Sequence, residues 1–321
     1  MGRRLLHLDP GEHQLDMTQM PRGLLEVLSE VRAAGTRAHS EIIQKIDDEE
    51  IIIDARGAPF TADDDSGVVL VLYDITNMRR LERVRTDFIA NVSHELKTPL
   101  TSIQGYVETL LDGAIHDDEY NTRFLEKTHV QVNRLTLLVA DLLSLARIES
   151  TSFRAESEPV DLREIIMESV TYRHDPLRSK QLELDLDLPD EPLLVDGESE
   201  GLRQIIDNLL DNAMNYTPEK GRISVRLRSE GYDGILRIED TGIGIPEDAL
   251  ARIFERFYRV DKGRSRELGG TGLGLSIVRN IVQRMQGTVA VESEVGRGTT
   301  FTVTLPRAGE PVVITEPGTL S

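Results

Sequence analysis

Cysteine is absent from all 321 residues. Disulfides, thiolate chemistry and Cys-based zinc sites are thereby excluded, and a reducing compartment is permitted without being demanded. Long apolar runs are missing too: the longest, GVVLVLY at 67–73, has strand length and falls well short of the roughly 18 residues that a membrane span requires. A signal peptide is not expected either. In MGRRLLHLDP two arginines precede a few leucines, but Asp9 and Pro10 end the run too early, and Leu6 stands where N-myristoylation needs Ser or Thr. Basic residues are in deficit, 37 Lys and Arg against 56 Asp and Glu, for a formal net charge of -19. That balance argues against binding nucleic acid or an anionic bilayer through a broad basic surface. A basic patch on a protein partner is the easier electrostatic match. Neither GxxxxGK[ST] nor GxGxxG occurs, which disfavours a P-loop ATPase, a dinucleotide fold and a Ser/Thr-type kinase.

What is present starts with apolar content. At 39% it suffices for real cores, and the length suits two or three domains. Residues 1–76 read as a small mixed domain: MPRGLLEVLSEVRAAG has helical periodicity ending at Gly35, and RAHSEIIQKI, EIIIDARGAPF and GVVLVLYDIT are β-rich. TADDDSG between the last two is a solvated polar turn. From 77 to 150 the pattern becomes two long helices. The first ends at Asp112 and Gly113; the second, from Asp117 to Ile148, carries Phe124, Val132, Leu135, Leu138, Val139, Leu142 and Leu145 on one stripe. Two such helices on a short connection form an antiparallel hairpin, and its half-covered stripe favours pairing with a second copy into a four-helix bundle. Ser and Glu dominate a linker at 151–158. Residues 159–306 then alternate helices (LREIIMESV, EGLRQIIDNLLDNAMNY, LGLSIVRNIVQRMQ) with strands (LELDLDL, RISVRLRSE, GILRIED, TVAVESE, TTFTVTLP), a string that packs as helices on one face of a mixed sheet. The remainder, 307–321, has no sustained period and is expected to be a mobile tail. The fold class is therefore multidomain α+β.

One stretch organises the chain: FIANVSHELKTPLTSI, 88–103. Val84, Phe88, Val92, Leu96, Ile103 and Val107 recur at spacings of three, four or seven, the mark of a helix that buries one stripe. His94 lies two residues from both Val92 and Leu96, roughly 200° round the helix, so its imidazole faces solvent. Glu95 is expected to accept the ring Nδ1 proton, leaving Nε2 as the nucleophile. Thr98 stands one turn on, and Pro99 is expected to bend the helix by removing a backbone hydrogen bond. On its own, an exposed helical histidine is an ordinary surface residue. The run SHELKTPL closely resembles the phospho-acceptor box of sensor histidine kinases from two-component systems, particularly the phosphate-sensing, PhoR-like type. The resemblance implies that His94 is phosphorylated, that Glu95 is the general base, and that Thr98 helps position water when the phosphoryl group is removed. VLVLYDIT with the charged helix after it resembles the end of a PAS sensory domain, here partial.

Four further stretches belong together. Asn208 and Asn212 in NLLDNAMNYT stand one turn apart, and neutral oxygens at that spacing suit a Mg²⁺ that is shared with phosphates. DTGIGIP places Asp240 beside Gly242 and Gly244, where a ring or phosphate can approach the backbone closely. FERFYRVDKGRS offers Arg259 and Lys262 to a triphosphate. GGTGLGLS opens a helix, so that Gly270, Gly272 and Gly274, with Thr271 and Leu273 between them, leave amides free at its positive end. In order and spacing the set resembles the ATP-binding domain shared by histidine kinases, DNA gyrase, Hsp-type chaperones and MutL, an α/β sandwich. GRGTTFTVTLP from Gly296 completes the pattern. The resemblance implies that Asp240 binds the adenine amino group, that Asn208 and Asn212 sit at Mg²⁺, and that about 245–270 form a lid. Many relatives have lysine where Asn215 stands, while Tyr216 matches.

The expected function is that of a homodimeric protein-histidine kinase, using ATP and Mg²⁺ to phosphorylate His94 and passing the phosphoryl group to an aspartate of a response regulator, with regulator dephosphorylation as a reverse activity. Two other readings are a signalling scaffold with a vestigial nucleotide domain and an ATPase of the gyrase and chaperone kind. The intact asparagine and glycine stretches weigh against the first. The second has no use for the SHELKTPL helix. A cytoplasmic location is expected, with membrane attachment only through a segment upstream of Met1.

Overall fold

Alternation of buried and solvent-facing side chains governs the first part of the chain. The computed structural model describes residues 20–46, 49–62, 65–149, 158–261 and 270–309, so most of the expected linker, the tail from 310, and Lys262 lie outside the described residues. Helix α1 (Arg22–Ala34) buries Leu24, Val27, Leu28 and Val31. Gly35 stops it in the left-handed conformation (φ 64°), donating to the Val31 carbonyl, an arrangement that costs glycine least. The strands β1 (Ala38–Ile46), β2 (Glu49–Ala62) and β3 (Asp65–Asp74) form an antiparallel sheet in that order. Leu24, Ile42, Ile53 and Ala55 make one buried cluster, and Val27, Val31 and Ala38 another. Both rest on one sheet face. The other face leaves Ile43, Val69, Val71 and Tyr73 exposed.

Helix α2 (Thr76–Leu111) is continuous through Pro99. Its first turn is capped by Asp74, which accepts from the Thr76 amide (2.9 Å) and hydroxyl (2.5 Å). A short 3-10 turn, Ala114–His116, leads to helix α3 (Asp118–Glu149), where Asp117 accepts from the amides of Glu119 and Tyr120. Such caps satisfy donors that the first turn leaves without partners. Across the hairpin, Glu95 meets Arg134 and Tyr106 meets Phe124. A step up one helix is thus matched by a step back along the other, as antiparallel packing requires. Two compact units divide the chain at Val92 and Ser93.

The rest is a five-stranded mixed sheet covered by helices. Its strands, β5 (Glu183–Asp187), β7 (Arg222–Glu230), β8 (Asp233–Asp240), β9 (Thr288–Glu294) and β10 (Gly298–Pro306), stand in the order β5-β7-β8-β10-β9, with β5 parallel to β7 and the other pairs antiparallel. Strands β4 (Glu158–Asp161) and β6 (Leu194–Gly197) form a separate ribbon, which sequence periodicity does not predict. Helices α4 (Leu162–Tyr172), α6 (Ser199–Tyr216) and α8 (Gly274–Arg284) pack together, α6 central, while α5 (His174–Ser179) and α7 (Glu247–Leu250) are short. The core combines Leu202, Ile205, Ile206 and Leu209 of α6 with Val225, Leu236, Ile238 and Val303 of the sheet. Helix α8 also packs against α3.

Candidate active site

The asparagine helix is fixed from behind. Arg173, almost wholly buried at the end of α4, donates to Asp207 Oδ1 (2.7 Å) and Asp211 Oδ1 (2.7 Å), one turn apart on α6. Asn208 and Asn212 follow these aspartates immediately, so the clamp sets the rotation of the helix that carries them. Asn208 Nδ2 donates to the Gln204 carbonyl (2.8 Å). Its Oδ1 occupies the space where a side chain on Gly274 would begin, so the amide abuts the start of α8. Lys180 Nζ caps the other end of α6, donating to the carbonyls of Met214 (2.6 Å) and Asn215 (3.3 Å), a favourable place for a cation.

Asp240 ends β8 inside the domain. Its Oδ1 accepts the Gly242 amide at 2.7 Å, and burial raises its pKa to about 6. Any side chain on Gly242 would collide with Asp240 Oδ1 (2.5 Å) and the Tyr216 carbonyl (2.7 Å). At Gly244, φ is 70° and the Glu294 carbonyl fills the place a Cβ would take. Tyr216, Asp240 and Gly242 are thereby drawn together around one buried carboxylate, while Gly244 packs on the Glu294 backbone. Among the described residues no three or more His, Cys, Asp or Glu gather as a metal site, so a cation here would rely on amide oxygens and phosphate.

The glycine-rich stretch meets both the domain and the hairpin. Phe257 donates its amide to the Gly272 carbonyl (2.8 Å), and Gly272, at φ 76°, packs against the Phe257 backbone and Arg259 Nε. Thr271 donates its hydroxyl to Asp141 Oδ2 on α3 (2.6 Å), and burial raises the Asp141 pKa. Ser144 on α3 donates to Gln204 Oε1 (2.7 Å). Gly270 and Leu273 flank these contacts, Leu273 being buried. Arg259, nearly buried, reaches Glu95 Oε2 at 3.3 Å, and the same oxygen accepts from Arg134 Nη2 at 2.7 Å.

His94 is exposed, as its offset from the apolar stripe predicts, and Thr98 Oγ1 donates to its carbonyl (3.1 Å). One expectation is corrected. Among the described residues no hydrogen bond joins the His94 ring to Glu95: consecutive helical residues point about 100° apart, and the carboxylate is turned onto two arginines instead. Sequence reasoning missed Arg134 and Asp141. A signal was there, since both fall in line with Leu138 and Leu145, charged residues on a stripe that otherwise buries leucine.

Comparison with known proteins bears on this arrangement. The family described as His Kinase A (phospho-acceptor) domain matches residues 84–151, and the family described as histidine kinase-, DNA gyrase B-, and HSP90-like ATPase matches 197–309. The sensor histidine kinase WalK of Bacillus subtilis (strain 168) is 38% identical over 242 residues, 75% of this chain; the chain spans 39% of the length of that relative. Among solved structures, the histidine kinase AdeS of Acinetobacter baumannii is 29% identical with a TM-score of 0.54, covering 67% of this chain and 98% of its own. The histidine kinase ThkA, solved in complex with the response regulator protein TrrA, shares the fold at 22% identity with a TM-score of 0.57, over 88% of this chain and 83% of its own. Nothing in these matches speaks for the phosphate-sensing subtype. With a phospho-acceptor hairpin and an ATPase module matched in sequence order, the chain belongs to the sensor histidine kinases of bacterial two-component systems.

Proposed function

We propose that the protein is an ATP-dependent protein-histidine kinase whose phospho-acceptor is Nε2 of His94. The observation that carries this reading is a continuous run of contacts from the residue beside His94 to the buried Asp240: Glu95 to Arg259, Arg259 to Gly272, Gly274 to Asn208, and along α6 to Tyr216. Asp240 takes the adenine amino group, with Gly242 and Gly244 letting the turn after it pack closely on Tyr216 and Glu294. Asn208 and Asn212 would hold Mg²⁺, with Gly270 to Gly274 on the phosphates. Mg²⁺, when bound, offsets the charge on the triphosphate. The Nε2 lone pair attacks the γ-phosphorus in line, the bond from phosphorus to the bridging oxygen breaks, and ADP leaves. The imidazolium then gives its Nδ1 proton to Glu95. For that, the Glu95 carboxylate must part from Arg259.

From His94 the phosphoryl group passes to an aspartate of a response regulator, as the regulator solved with ThkA suggests, and Thr98 assists the reverse dephosphorylation. Division at 76, 150, 158 and 306 into a partial PAS-like module, hairpin, linker, ATP domain and tail is part of the same reading. The α1 helix on its three-stranded sheet supports the first of these. No described helix is long and apolar enough to cross a membrane. Incubation with γ-labelled ATP should give an acid-labile, base-stable phosphoprotein, and His94→Gln should give none. Equal labelling of the variant would overturn the assignment.

A further inference from the structure

Two hairpin carboxylates rest on Arg259, which the sequence offers to a triphosphate, and on Thr271 of the glycine-rich stretch that the preceding reading puts on the phosphates. Glu95 Oε2 is on Arg259, and Asp141 Oδ2 is on the Thr271 hydroxyl. Each is an anionic oxygen on a donor that would otherwise face a phosphate oxygen. Neither contact is an incidental surface pair. Arg259 is 6% exposed and Glu95 20%, and Asp141 is half-buried in line with Leu138 and Leu145. Arg134, 9% exposed, donates to the same oxygen of Glu95. Burial in this way costs a carboxylate its hydration, and the cost is met only while the partner stays in place.

We propose that Glu95 and Asp141 act as internal stand-ins for nucleotide phosphate, so that docking of the ATP domain on the hairpin and binding of the triphosphate compete for Arg259 and Thr271. Arg134 is then a positioning residue. It keeps Glu95 held on the hairpin when Arg259 leaves. Base release and phosphate capture become one event, because a single guanidinium serves both. Linkage makes the competition reciprocal: docking weakens nucleotide binding by the same factor by which nucleotide weakens docking, so a change that loosens docking tightens nucleotide binding.

The inference rests on the nucleotide reading, and its test separates the two. A fluorescent, non-hydrolysable ATP analogue is titrated with Mg²⁺ into the wild-type chain, Asp141→Ala and Glu95→Gln. Asp141→Ala should bind about fivefold tighter or more, Glu95→Gln should bind tighter also, and the double variant tightest. A merely structural role for Asp141 would weaken binding, so the direction of the change discriminates. Alanine suits the helical position, and the glutamine of the second variant keeps a neutral acceptor for Arg134. Unchanged or weaker affinity in variants that melt as the wild type does would overturn the competition and leave the nucleotide reading standing. No Mg²⁺-dependent affinity in the wild type would overturn both.

Discussion

Asp240 shows how a single residue joins stability to binding. Its carboxyl is buried and its pKa is raised to about 6, against about 3.9 in an unfolded chain. Between those values the folded state holds a proton that the unfolded state has released, so stability falls as pH rises through roughly 4 to 6. Asp240→Asn should flatten that slope and leave the nucleotide-free protein about 1 to 2 kcal/mol more stable at pH 7, as urea denaturation at several pH values would show. Nucleotide affinity should move the other way. An adenine amino donor needs the ionised carboxylate, so binding should weaken as pH drops below about 6 in the wild type, and Asp240→Asn should remove that dependence along with most of the affinity. Affinity indifferent to pH from 5 to 8 would disprove the adenine contact. Asp240, Asn208 and Gly242 were legible in the sequence because their stretches, taken as an ordered set, resemble an ATP-binding domain. The partners of Glu95 were not, since an ion pair between Glu95 and Arg134 or Arg259 joins positions far apart in sequence, which no local period encodes.

Among elements, α6 is the one whose exact rotation matters most. Arg173 grips Asp207 and Asp211 on one side while Asn208 and Asn212 look elsewhere. Arg173→Met should cost about 2 kcal/mol, since it deletes charge-assisted bonds from a buried donor but leaves two aspartates with access to water. It should also lower Mg²⁺-dependent nucleotide affinity, with Arg173→Lys recovering part of both. Retention of full affinity in Arg173→Met would show that the clamp is structural alone. The five strands of the main sheet were readable because each shows regular alternation or a sustained β-branched run. The β4 and β6 ribbon was not, because EPVD and LVDG are four residues each, too short to show a period. The helix stops at Gly35 and Gly113 were readable for the opposite reason: one residue type nearly decides the backbone there.

At the scale of the molecule, the hairpin is incomplete by itself. Val132 and Val139 on α3 are 44% and 42% exposed, and with Leu125 they repeat every seven residues; Leu100 and Val107 do the same on α2. A heptad stripe open on both helices calls for facing helices of the same kind, which a second copy would supply. Val132→Lys with Val139→Lys should weaken self-association on the order of a hundredfold, seen by sedimentation at micromolar concentration, and an unaltered dimer would refute the seam. Sequence periodicity located this stripe but assigned Val132 and Val139 to the same face as Leu138 and Leu145. Only the structure separates the face that meets the ATP domain from the face left open.

Phe257, held at a positive φ of 62°, donates its amide to Gly272 and so fastens the two ends of the intervening chain side by side. Arg259 follows Phe257 by two residues and Thr271 precedes Gly272 by one, so this single backbone bond holds at neighbouring points the two donors that meet the hairpin carboxylates.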